Sequence, residues 1–168
     1  HYTGMQSKIE SIKRLVNPKS KVSCHYLIDR KGKIIKLLDD NKIAWHAGKS
    51  RWKNFTNLNK NSLGIELVNK GHQHGYQKYP KIQIKQLIKL CTHLKKKYKI
   101  NNKNIVGHSD IAPLRKKDPG EKFPWKQLNK NKIGFSYKKS KFDKKRINAN
   151  PIHLFFRNLY LLGYRYFS

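Results

Sequence analysis

Apolar residues along this chain fall into short periodic runs separated by polar, lysine-rich stretches. Residues 7–16 place Ile9, Ile12 and Val16 on one face of a helix that Pro18 ends. Residues 22–28 and 33–38 are strand-like runs around Asp29-Arg30-Lys31-Gly32, the pattern of a β-hairpin. Residues 63–68 read as a short apolar strand interrupted by Glu66. From Pro80 to Tyr98, Ile84, Leu87, Ile88, Cys91, Leu94 and Tyr98 recur at three- and four-residue spacing and predict the clearest helix. Residues 104–108 read as another short strand, followed by a long loop bearing Pro and Gly. Strands alternating with helices predict an α/β domain, a mixed central β-sheet flanked by helices.

The pattern changes near the end of this stretch. Residues 135–150 are lysine-rich and aperiodic, a linker by composition. In residues 151–168, Leu154, Phe155, Asn158, Leu161 and Leu162 make a helical stripe that stops at Gly163. The expected organisation is therefore a domain over 1–134, a linker over 135–150 and a helical extension over 151–168.

Apolar residues make up 37% of the 168, but their clustering argues for a folded domain with a heavily solvated surface. No apolar run reaches the roughly 18 residues that would span a membrane. The net charge of +30, from 39 Lys and Arg against 9 Asp and Glu, attracts polyanions. Nucleic acid, an anionic membrane and an acidic wall polymer all fit that field, and so does a set of lysines that only solvate the surface. A nucleic-acid-binding domain would gather basic and aromatic residues on one recognition element, and none stands out, so no nucleic-acid partner is expected. Cys24 and Cys91 have no short spacing and suggest neither a zinc knuckle nor a disulfide scaffold.

The strongest chemical signal is the segment from His108 to Gly120, in which Asp118 follows His108 by ten residues on a loop bounded by Pro and Gly. Imidazole and carboxylate converging there suit a zinc ion with a fourth position left open. On spacing alone, a hydrogen-bonded His at a strand end and an Asp capping a turn fit as well. His25, between Cys24 and Tyr26, reads as a buried structural histidine. His72, His74, His93 and His153 have no partners at useful spacing and receive no role.

Four motifs occur in order: His1-Tyr2-Thr3, Ala44-Trp45-His46-Ala47-Gly48, Ser62-Leu63-Gly64-Ile65-Glu66-Leu67 and the His108–Gly120 segment. Together they resemble the amidase-2 family of N-acetylmuramoyl-L-alanine amidases, the AmiD type more than the AmpD type. The resemblance implies a peptidoglycan-recognition-like domain that uses one Zn2+ to hydrolyse the amide between N-acetylmuramic acid and L-alanine, in peptidoglycan or muropeptides. It implies zinc ligation by His1, His108 and Asp118, catalytic roles for Glu66 and Lys116, and substrate contact by Trp45, His46 and Gly48. It also implies a strand upstream of His1, and it makes the tail similar to the start of a wall-binding helical module. The expected location is the cell envelope, with the cytoplasm as the alternative. The competing reading on this scaffold is a peptidoglycan-binding protein without catalysis, which normally goes with a lost metal ligand.

Overall fold

The computed structural model describes residues 1–135 and 151–165. The expected linker lies outside the described residues from 136 onward.

Helix α1, Lys8–Val16, starts where the Ser7 hydroxyl accepts the Glu10 N–H at 3.1 Å, and it ends before Asn17-Pro18. It buries Ser11 and Leu15, while Ile9 and Val16 are exposed. The expected face was thus turned: the sequence stripe overlooked that Ser11, whose hydroxyl donates to the Ser7 carbonyl at 2.8 Å, can be buried without an unmet polar group.

Strand β1, Tyr26–Ile28, pairs antiparallel with β2, Ile34–Lys36, as the hairpin pattern predicted. Asp29 organises the turn, its Oδ1 accepting the N–H of Lys31 and Lys33, each at 2.9 Å. A two-residue hairpin, β3 (Arg51–Trp52) and β4 (Phe55–Thr56), projects beside this sheet. Strand β5, Ile65–Leu67, returns parallel to β1, which makes the sheet mixed in the order β2-β1-β5. The outer edge of β5 is covered by the first residues of the chain. Leu67 N–H donates to the His1 carbonyl at 3.1 Å, Thr3 N–H to the Leu67 carbonyl at 3.0 Å and Gly4 N–H to the Asn69 carbonyl at 3.0 Å.

Helix α2, Lys81–Lys97, packs Ile84, Leu87, Leu90, Cys91 and Leu94 on one face of the sheet with Tyr26, Ile28 and Leu67. Each such fully buried side chain contributes about 1.5–3 kcal/mol. Leu15 of α1 packs with Cys24, Leu27 and Val68, which alternate to the other face. The sheet is therefore sandwiched. Gln83 pins helix to sheet through Nε2, which donates to the Ile28 and Val68 carbonyls at 2.9 and 3.2 Å.

Beyond α2 the expected strand at 104–108 does not form. The Asp110 carboxylate accepts the Gly107 N–H at 2.7 Å and starts a helical turn, α3, at His108–Ile111. Helix α4, Trp125–Lys130, follows, with Leu128 in the α2 core. Helix α5, Pro151–Leu162, ends at Gly163, whose carbonyl accepts the Lys53 N–H at 2.8 Å. Tyr164 then packs edge-on to Trp52, with its hydroxyl donating to Asp110 Oδ1 at 2.5 Å. Among the described residues no helix is long and apolar enough to cross a membrane.

Candidate metal centre

The parallel ladder brings the start of the chain to β5, and the loop after α3 folds back over it. His1 Nδ1 lies 2.9 Å from His108 Nδ1 and 3.0 Å from Asp118 Oδ2, and His108 Nδ1 lies 3.2 Å from the same oxygen. These three groups, on three separate segments, form the candidate metal cluster among the described residues. Around a tetrahedral zinc ion with bonds of about 2.0–2.1 Å, ligand atoms stand about 3.3 Å apart, so this triangle and its donor set fit zinc.

The surrounding hydrogen bonds free the inward atoms. His108 Nε2 donates to the Ala47 carbonyl at 3.0 Å, which leaves Nδ1 with its lone pair facing the triangle. On the other side of His1, Nε2 lies 3.2 Å from His46 Nδ1. Burial, and then the nearby His25, push the His46 imidazole down to about 4, so it stays neutral near pH 7 and can accept from His1. Burial alone would raise the Asp118 carboxyl. The adjoining His108 ring, the amine at the chain start and Lys116 outweigh it, and the carboxyl falls below its ordinary range.

Glu66 faces this centre from the middle of β5. Tyr2 bridges to Leu67, so His1 and Glu66 are ladder neighbours and share a sheet face. Glu66 Oε2 is buried without a hydrogen-bond partner. Burial pushes its carboxyl up to about 7, with Asp118 adding to the rise and the chain-start amine and Lys116 opposing it. An unpaired buried carboxylate is costly to the fold, and groups perturbed in this way cluster at functional sites. Lys116 is half-buried on the same loop as Asp118.

The 44–48 segment adjoins the centre through His46, which alone of these residues lines the cavity, and through the Ala47 carbonyl that accepts from His108. Trp45 is 50% exposed and therefore is not a core aromatic. His46 packs against Gly64, where a Cβ would overlap its ring. Gly48 has φ +58 and lies against the Arg115 guanidinium. A cavity of about 440 Å³ opens beside His1, His46 and His108 and runs past Leu63, Ile65 and Leu87. His25 is structural as expected, fully buried between the Lys42 carbonyl and the Gly64 N–H, each at 3.0 Å.

Two residues that hold this segment were not singled out in the sequence. Asn59 Oδ1 accepts three successive N–H groups, from His46, Ala47 and Gly48, at 3.1, 2.7 and 3.3 Å. Arg115 grips the carbonyls on the other side. Its Nη2 donates to Ala47 and to Lys49, the latter at 2.6 Å, and its Nε also donates to Lys49, at 3.0 Å. Asn59 has no sequence signal in an asparagine-rich stretch. Arg115 does have one, as the sole arginine in a lysine-rich motif at a site that calls for a fork of donors.

The sequence profile of the Amidase_2 family, described as N-acetylmuramoyl-L-alanine amidase, matches residues 1–121. The chain is 42% identical over 125 residues to N-acetylmuramoyl-L-alanine amidase AmiD of Escherichia coli, an alignment covering 67% of this chain and 45% of that one. It is 39% identical over 108 residues to 1,6-anhydro-N-acetylmuramyl-L-alanine amidase AmpD of Haemophilus influenzae, covering 64% and 56%. The chain thus spans about half the length of these curated relatives. Its structure is similar to that of E. coli AmiD in complex with the substrate anhydro-N-acetylmuramic acid-L-Ala-D-gamma-Glu-L-Lys, with TM-score 0.86, 32% identity, and coverage of 100% of this chain and 71% of that one. AmpDH3 of Pseudomonas aeruginosa in complex with anhydromuramic pentapeptide gives TM-score 0.88 and 33% identity, with coverage of 100% and 73%. The match over residues 1–121, in which the His1–His108–Asp118 cluster and Glu66 all fall, places the chain in the Amidase_2 family.

Proposed function

We propose that the chain hydrolyses the amide between N-acetylmuramic acid and L-alanine in peptidoglycan or muropeptides, with one zinc ion held by His1, His108 and Asp118. The observation that carries this reading is the convergence of two imidazole nitrogens and a carboxylate oxygen beside the buried, unpartnered Glu66 oxygen. Zinc, when bound, supplies Lewis acidity, which polarises an amide carbonyl and eases deprotonation of water. Glu66, poised near pH 7, takes a proton from the attacking water and delivers it to the leaving nitrogen as the C–N bond breaks. Lys116 places positive charge where the carbonyl oxygen becomes anionic. Trp45 offers its exposed ring to the sugar or the peptide stem, beside His46 and Gly48. All three ligands are present, which speaks for catalysis over passive wall binding.

The proposed organisation is an amidase domain over 1–134, with α5 as the start or remnant of a wall-binding module. The proposed location is the cell envelope, where such a substrate is found and where a charge of +30 would hold the protein near acidic polymers. Purified sacculi and anhydro-muropeptides incubated with the protein, with and without chelator, test the reading by mass spectrometry. Free stem peptide beginning with L-alanine, lost on chelation and restored by zinc, is the expected product. Intact substrate in the zinc-loaded reaction would refute it.

A further inference from the structure

The segment after β5 forms a bracket around the Asp118 loop. Asn69, fully buried, closes this segment on itself: its Oδ1 accepts the Gly71 and Gln77 N–H groups, each at 3.2 Å, and its Nδ2 donates to the Gln77 carbonyl at 2.8 Å. The closed loop delivers two phenols to one acceptor. Tyr76 and Tyr79 both donate to the Pro119 carbonyl, at 2.6 and 2.8 Å. Burial pushes both phenols upward, so each remains a donor. Tyr76 also accepts the Lys122 N–H at 3.1 Å, and Ser109 N–H donates to the Asp118 carbonyl at 2.9 Å. The peptide carbonyls on both sides of the Asp118–Pro119 link are therefore held from outside the loop.

The same bracket reaches the first ligand. The phenol of Tyr2, next to His1, lies 2.9 Å from His72 Nδ1, and His72 Nε2 lies 3.0 Å from Glu121 Oε2, three residues past Asp118. His72 stacks on Tyr76 with ring centroids 4.4 Å apart. The fit is close: Gly120, at φ +80, would place a Cβ 2.6 Å from the Tyr76 hydroxyl. A carboxylate on a Pro/Gly loop could otherwise adopt many arrangements, and ordering it costs conformational entropy.

We infer that Tyr76 and Tyr79 are positioning residues for Asp118, their paired hydrogen bonds to the Pro119 carbonyl fixing its carboxylate against His1 and His108 before any metal arrives. This rests on the zinc reading above. Partners beyond the ligand shell commonly change metal affinity by about 10–100-fold. The test is chelator-competition measurement of zinc affinity in the full chain for wild type, Tyr76→Phe, Tyr79→Phe and the double variant. Each single change should weaken zinc several-fold, and the double change about tenfold or more. Tyr98→Phe, which removes a comparable 2.6 Å bond to Asp40, should lower the melting temperature without moving zinc affinity. Wild-type affinity in the double variant overturns the inference, and so does a Tyr98→Phe chain that loses affinity equally. If the double variant does not fold, wild-type affinity in both singles overturns it. A wild-type chain that takes up no zinc sinks the metal reading and this one together, whereas wild-type uptake with unchanged variants sinks this one alone.

Discussion

His1 and His108 are separated by 107 positions, yet their Nδ1 atoms stand 2.9 Å apart, with the Asp118 carboxylate closing the triangle. Because Ala47 takes the Nε2 proton of His108, the two inward nitrogens would face each other lone pair to lone pair unless a proton or a cation lies between them. The Asp118 carboxylate alongside stabilises either positive charge, and the zinc reading proposed above takes it to be the cation. The expected consequence is that His108→Ala loses both zinc and turnover, checked by metal analysis of the purified protein. Stoichiometric zinc retained in that variant would remove His108 from the ligand set.

On the proposed mechanism, Glu66 separates chemistry from metal binding. Glu66→Gln should keep zinc and lose about 10²–10⁴-fold in kcat, since the positioned base is gone. The metal-free chain offers an independent check through linkage. Burial raises this carboxyl from 4.5 to about 7 in the folded state. Below pH 4.5 it is protonated folded or unfolded. Between 4.5 and 7 the unfolded chain gives up the proton and the folded chain keeps it, so stability falls with rising pH by up to about 1.4 kcal/mol per unit. Above 7 that contribution stays lost. Urea midpoints from pH 4 to 8 should show this fall in the wild type and a flatter course in Glu66→Gln. Parallel courses would mean that the carboxyl is not held in an apolar setting.

Much of the candidate centre was legible because it gathers residue types that packing does not call for. A glutamate within an apolar strand and the His108–Asp118 spacing announce themselves. The hairpin was legible because alternation around Asp29 leaves few other pairings, and α2 because its period persists over 17 residues. Short elements were harder. Residues 104–108 look like a strand, but one side-chain bond, the Gly107 N–H donating to the Asp110 carboxylate, decides for a helix start. In α1 a buried serine displaced the expected stripe. His72 had no visible partner in sequence, since Tyr2 and Glu121 lie 70 and 49 positions away. Asn59 was hidden for another reason: its role is to accept backbone N–H groups of the 46–48 turn, 11 to 13 positions earlier, and no spacing rule reports that.

Asn59 should matter for substrate binding more than for metal. Removing Oδ1 in Asn59→Ala leaves three N–H groups of the 46–48 turn without their acceptor, at a cost of about 1–3 kcal/mol in stability. The loosened turn carries Trp45 and Gly48, so KM should rise while zinc stoichiometry stays whole. Asn59→Asp presents an oxygen at the same place and should restore most of the loss. Thermal melts with steady-state kinetics on an anhydro-muropeptide check this, and equal KM in all three chains would exclude Trp45 and Gly48 from substrate contact.

On the proposed mechanism, Lys116 acts on two quantities that a pH profile separates. Its charge is among those lowering the Glu66 and Asp118 carboxyls, so Lys116→Met should leave Glu66 titrating higher than in the parent. The acid limb of kcat/KM reports the pKa of the essential base in the free enzyme, and it should therefore move to higher pH. The plateau above that limb reports a different loss, that of positive charge beside the developing oxyanion, and should drop by about 10²–10³-fold. Lys116→Arg keeps the charge and should hold the limb in place even if its bulkier head recovers only part of the plateau. A lysine that merely solvates the loop would move neither quantity, so an unchanged limb and plateau in Lys116→Met would return it to the surface set. A lowered plateau with an unmoved limb would keep the oxyanion role but cut the electrostatic link to Glu66.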